Sequence, residues 1–78
     1  MVQVRVVGRI QGLGGAIAAA SATFGVRTAP GEVQVVRVVG EEAVARLKSL
    51  GRGTSVVVDG RWVGGRATLL ASAVVPLG

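Results

Sequence analysis

The chain has 78 residues, half of them hydrophobic and 17% charged, and nine basic residues against four acids give a net charge of +5. This length fits one domain over residues 1–78, its apolar excess predicts self-association, and its positive charge predicts attraction to polyanions. The absence of cysteine excludes a disulfide scaffold and a thiolate metal site.

Valine-rich segments separated by glycines predict three strands in the first half of the chain. The first strand loses its alternation at Val6–Gly8, where we predict a bulge. The second has one large core residue, Phe24, and residues 29–31, Ala-Pro-Gly, predict a tight connection to the third. The predicted strands are Val2–Ile10, Ala16–Thr28 and Val33–Val39.

The longest uncharged run is too short and too rich in glycine for a membrane span. It covers Ile10–Val26, 17 residues, where a spanning helix needs about 20. No basic segment precedes it, and no signal peptide is apparent. We therefore expect a cytoplasmic protein with no membrane partner.

The hydrophobic period changes from two to three after Gly40. Glu41 and Glu42 favour the start of a helix, and Val44, Leu47 and Leu50 lie along one side of it. Gly51 predicts its end. Two more strands follow, joined by a two-residue hairpin turn at 64–65; they are Thr54–Val63 and Arg66–Val75.

This order of elements predicts an all-β fold. Five strands with one short helix between strands three and four suit a Greek-key barrel of the OB type. A bent first strand and a second strand interrupted by glycine fit the closure of a small barrel. An SH3-like barrel is the main rival, but it does not normally place a full helix at that position.

Residues 32–61, EVQVVRVVGEEAVARLKSLGRGTSVVVDGR, resemble the bacterial single-stranded DNA-binding protein family. That family runs a strand ending in a hydrophobic-Gly pair into a short helix, then a basic-Gly-Ser/Thr turn and a strand closing in acid-Gly-Arg. VRVVGRI at 4–10 and ATFGV at 22–26 resemble its first two strands. The resemblance implies sequence-nonspecific binding of single-stranded nucleic acid, DNA above all. It also implies a homodimer or homotetramer that pairs its first strands.

Departures from the family leave a second function open. Val33 stands where the family stacks a base, Val39-Gly40-Glu41 replaces Phe-Gly-Lys, and the long loop between strands two and three and the acidic tail are missing. Because base stacking contributes about 1–3 kcal/mol per base, these losses weaken DNA binding. The alternative is an OB-fold structural or protein-interaction subunit, and a third option is a tailless primosomal accessory protein.

Arginines and the single tryptophan are the predicted nucleic-acid contacts. Each has a plainer interpretation: the arginines as solvated strand or turn positions, and the tryptophan as a core residue at the barrel end. Gly60 permits a bulge that would bring residues 61 and 62 together at the rim. The predicted contacts are Arg5, Arg37, Arg52, Arg61, Trp62 and Arg66.

The sequence predicts no enzyme and no cofactor. It lacks histidine, cysteine and tyrosine, which supply the commonest general bases and nucleophiles. Of the four acids, two open the helix and Asp59 lies in a strand-end turn, which leaves Glu32 alone. No pair of carboxylates is placed for acid–base work or metal binding.

Overall fold

The described residues form a closed five-stranded barrel with one helix. A computed structural model describes residues 3–12, 20–29, 31–65 and 67–77. Around the barrel the order is β1-β2-β3-β5-β4, with β3 and β5 parallel and the other pairs antiparallel. This is the predicted OB-fold barrel. Its elements are β1 (Val4–Gly12), β2 (Ser21–Thr28), β3 (Val33–Val39), α1 (Glu41–Ser49), β4 (Ser55–Val63) and β5 (Thr68–Pro76).

The barrel interior is filled by alternate side chains of the strands. β-branched residues suit a pleated surface with one buried face, and valine dominates here. Phe24 is 1% exposed and is the largest of the fully buried side chains, as predicted. The buried core consists of Ile10, Ala22, Phe24, Val26, Val36, Val38, Val44, Leu47, Val56, Val58 and Leu69.

The helix lies where the change of period predicts it. Gly40, with φ 113°, precedes the first turn, and Val44 and Leu47 join the barrel core. The last turn closes when the Leu50 N–H donates to the Leu47 carbonyl at 3.0 Å. The helix ends at Ser49, Leu50 caps it in an extended conformation, and Gly51, the predicted stop, follows directly. No helix in the described ranges has the length and apolarity needed to cross a lipid bilayer.

The bulge predicted at Val6–Gly8 is wrong. β1 pairs with β4 in unbroken register from Val4 to Arg9, and the irregularity lies further on, between Ile10 and Gly12, opposite β2. Gly8 has another role. A Cβ atom there would overlap the carbonyl oxygen of Arg27 on β2, so the glycine marks a close approach of two strands.

The predicted two-residue hairpin turn is also wrong. β4 ends at Val63, which pairs with Thr68, so four residues separate the two strands. Gly64 and Gly65 both have φ 61°. The Ala67 N–H donates to the Gly64 carbonyl at 3.1 Å, and this hydrogen bond closes the turn before β5 begins. β2 begins at Ser21; the predicted strand segment 16–19 lies outside the described residues, as do positions 30 and 66.

Candidate functional site

The structure describes five of the six predicted contact residues and places them on different parts of the barrel. Arg5 lies on β1, Arg52 in the turn after α1, and Arg66 outside the described residues. Arg37 and Arg61 share one row, because both pair with Leu70 of β5 from opposite sides. Strands in a sheet are about 4.8 Å apart, so these two arginine backbones are about 10 Å apart. Arg5 is also near Arg61, because it pairs with Asp59, two residues earlier on β4, and such diagonal neighbours are about 7–8 Å apart.

Arg5 forms an ion pair with Asp59, its cross-strand partner on β4. Its Nε donates to Oδ1 at 2.7 Å and a terminal nitrogen donates to Oδ2 at 3.2 Å. The hydrogen bond from Arg5 lowers the pKa of Asp59, and the same bond raises the pKa of Arg5. The Arg5 charge is therefore compensated within the barrel, which reduces its attraction for a polyanion.

Replacing Arg5 with glutamine is expected to raise the pKa of Asp59 towards its ordinary value of about 4. A carboxylate with a lowered folded pKa stabilises the fold above its unfolded pKa, and this contribution is lost as the pH falls through the folded pKa. The parent should therefore lose stability on acidification below about pH 4, and Arg5→Gln should lose less. Carboxyl NMR titration and melts at neutral and acidic pH measure both; an unchanged Asp59 pKa contradicts the pairing.

Trp62 packs against the core and is only partly buried. Its packing against the core agrees with the plainer interpretation, a core residue at the barrel end, while Arg61 before it is exposed. The register does shift between Asp59 and Gly60, leaving Ser72 of β5 unpaired. The shift does not bring Trp62 and Arg61 to one side. The only other aromatic residue, Phe24, is buried, so the partly exposed ring of Trp62 is the one aromatic surface on which a base could stack.

Two further arginines, which the sequence reasoning missed, face each other across β1 and β2. Arg9 pairs directly with Arg27, and both are exposed. Arg27 donates to the Gly31 carbonyl at 3.1 Å, whereas Arg9 has no side-chain hydrogen bond in the part of the chain described. Like charges directly opposite destabilise a sheet, so this pair attracts an anion. It lines a shallow groove of about 300 Å³ together with Val7, Thr28 and Leu77.

The outward side of β3 is an apolar surface interrupted by one cation. Val33, Val35 and Val39 are 51%, 39% and 58% exposed, and we call these three residues the valine face. Arg37 lies between the second and third of them. Gly25 of β2 pairs with Val35, and the Val33 side chain covers it: a Cβ atom at Gly25 would lie only 2.9 Å from the Val33 Cγ1.

A second apolar row crosses β1, β4 and β5. Val7 pairs with Val57, and Val57 pairs with Val75; we call these three residues the β1 patch. Val7 is 51% and Val75 is 53% exposed. Residues 4–7 pair with β4 alone, because the pairing with β2 begins at Gly8. This stretch, the β1 edge, has no strand on its other side among the described residues.

Comparison with known proteins supports the fold. No family model and no curated protein matches the sequence. Among solved structures, a chain from the crystal structure of the S. pombe Stn1–Ten1 complex is similar, with a TM-score of 0.80 and 22% identity. The match covers 96% of this chain and 57% of that chain, so this protein spans little more than half of its structural neighbour. The barrel is an OB fold.

Proposed function

We propose that this protein is an OB-fold assembly subunit that binds other proteins, a second copy of itself first, and catalyses no reaction. The observation that carries the proposal is the β1 edge beside the exposed β1 patch. A strand edge presents unpaired N–H and C=O groups that another strand can satisfy. Two copies of β1, antiparallel about a two-fold axis, would pair these groups and bury Val7 of both chains.

Two likenesses support an assembly role. The similar solved chain comes from a complex of two proteins, Stn1 and Ten1. The bacterial single-stranded DNA-binding family, to which we propose a distant kinship, pairs its first strands across a two-fold axis. The loss of the aromatic residues on which that family stacks bases, together with the shortened loops, separates this chain from that family's DNA-binding function and leaves the assembly surface.

Replacing Val7 with glutamate is expected to convert a dimer, or a tetramer built from it, into a monomer. A carboxylate at an exposed strand position leaves the fold intact, but burial at the interface would desolvate it. Light scattering should give at least twice the 7.8 kDa chain mass for the parent and one chain mass for the variant. Ala45→Glu, the same charge change on the exposed side of α1, is the control. A monomeric parent at micromolar concentration overturns the proposal.

The second candidate function is sequence-nonspecific binding of single-stranded nucleic acid, DNA above all. The specific observation in its favour is the uncompensated Arg9–Arg27 pair in a chain of net charge +5. Two guanidinium groups on neighbouring strands can hold a phosphodiester between them. Because Trp62, partly buried, is the one aromatic side chain with exposed surface, affinity would come from phosphate contacts more than from stacking.

Binding of a labelled oligo-dT is expected to fall steeply with salt, with a slope of about −0.7 per phosphate neutralised. Replacing Arg9 and Arg27 together with glutamine should reduce the slope by about 1.4, since two phosphate contacts are lost. Fluorescence anisotropy at several salt concentrations measures this slope. The control is Arg46→Gln with Lys48→Gln, which removes two charges from α1. Equal slopes in the two double variants, or an affinity independent of salt, argue against this function.

A further inference from the structure

We propose that the valine face is a docking surface for an acidic, aliphatic segment of a partner protein. This surface is separate from the β1 edge, and the inference goes beyond self-association. Three half-exposed valines lie on one strand with Arg37 between them, and Arg27 is paired with Val33 on β2. A ligand that covers this surface must bury aliphatic carbon and supply negative charge.

The spacing of the valine face fits an extended segment. Outward residues of a strand recur about every 6.6 Å, which is also the spacing of alternate side chains in an extended peptide. Such a segment lying along β3 can place aliphatic side chains on the valines and carboxylates near Arg37 and Arg27.

A second copy of this chain is a poor occupant of the valine face. The paired positions of β2 and β3 carry two arginines, Arg27 and Arg37, and no acid. Two such surfaces brought together would set cations against cations, which costs several kcal/mol at an interface. One exposed acid, Glu32, borders Val33, against the two arginines on the surface, so charge complementarity favours an acidic partner.

A single-stranded nucleic acid fits this surface less well than an acidic protein segment. Its phosphates would satisfy the arginines, but its bases bind best by stacking on aromatic rings, and the valine face has none. Aliphatic side chains, in contrast, remove valine surface from water at about 25 cal/mol per Å². An alternating acidic and aliphatic sequence matches both components of the surface.

The experiment uses a labelled octapeptide of alternating glutamate and valine and follows its anisotropy on titration with the protein at low salt. Val33→Thr with Val39→Thr keeps the β-branched shape and removes apolar surface; Arg37→Gln removes the central charge. We expect each change to weaken binding by about fivefold to tenfold. The matched control, Ala45→Ser with Arg46→Gln on α1, should stay within about twofold.

Three results overturn the inference. The first is equal weakening in the control, which would show a general charge effect. The second is no peptide binding by a parent that still dimerises through Val7, which leaves the assembly proposal intact. The third is oligo-dT binding that falls in the two valine-face variants while peptide binding does not, which assigns the surface to nucleic acid.

Discussion

Replacing Gly60 with alanine is expected to lower the free energy of unfolding by at least about 3 kcal/mol. Gly60 is buried on β4, and a Cβ atom there would overlap the carbonyl oxygen of Leu70, lie 2.9 Å from its carbonyl carbon and 3.0 Å from the Cα of Ala71. All three are backbone atoms of β5, so no side-chain rotation relieves the contact. β4 and β5 would have to separate where their register already shifts to accommodate Ser72.

Because the domain is small, this contact removes a large share of its total stability. Overpacking costs about 1–3 kcal/mol when side chains can adjust, and a clash with backbone lies at or above the upper end. A chain of this length has about 4–12 kcal/mol of stability in total. We expect Gly60→Ala to lose at least about 3 kcal/mol, seen as a large fall in the urea midpoint by Trp62 fluorescence.

Gly51→Ala is the matched control for this substitution. Gly51 lies outside the left-handed region, and the nearest atom to an added Cβ is the Thr54 hydroxyl oxygen at 3.9 Å. Alanine there should be neutral or stabilise the protein by about 0.4–1 kcal/mol, because it restricts the unfolded chain. If the two variants unfold at the same urea concentration, the close approach of β4 and β5 at Gly60 is not part of the folded protein.

Local patterns were enough to predict the elements of this fold. The change of hydrophobic period at Gly40 predicted α1 to within a residue or two, and its size, as the one large residue of its strand, placed Phe24 in the core. These features depend on neighbours in sequence. The element order then selected the OB barrel, since a full helix between strands three and four suits few small barrels.

The register of strand pairing could not be predicted from the sequence, and the wrong predictions result from this. The glycine at position 8 suggested a bulge because its neighbours break the alternation, but its cause is the approach of Arg27 from β2. The Arg9–Arg27 pair was missed for the same reason: each arginine has outward parity, and only the pairing of β1 with β2 brings the two together. Cross-strand partners depend on residues far apart in the chain, which periodicity does not specify.

Register also decides how the charges are distributed between surfaces. Pairing β1 with β4 sets Arg5 opposite the Asp59 carboxylate, whereas pairing β1 with β2 sets Arg9 opposite another arginine. The same strand thus carries one compensated and one uncompensated cation, four residues apart. On β1, this difference makes the Arg9–Arg27 pair, and not Arg5, the place where a phosphate is expected to bind.

Replacing Phe24 with alanine is expected to lower the free energy of unfolding by about 3–5 kcal/mol, the usual cost of deleting a buried phenylalanine. Phe24 lies on β2 opposite Val36, is 1% exposed, and is the only phenylalanine in the chain. Its neighbours in the core are mostly valines, whose short and stiff side chains cannot move in to fill the space. A cavity would therefore remain, and its cost adds to the lost transfer of the ring from water.

Phe24→Leu is the comparison that separates the cavity from the loss of the ring. Leucine keeps most of the apolar volume, so we expect it to cost clearly less than alanine, about 1–2 kcal/mol. Urea unfolding of both variants, followed by Trp62 fluorescence, gives the two free energies. If assembly through the β1 edge is coupled to folding, Phe24→Ala should also raise the protein concentration needed for dimers, since fewer chains are folded. Equal free energies for alanine and leucine would mean that the barrel closes around the missing ring and that its core is not rigidly packed.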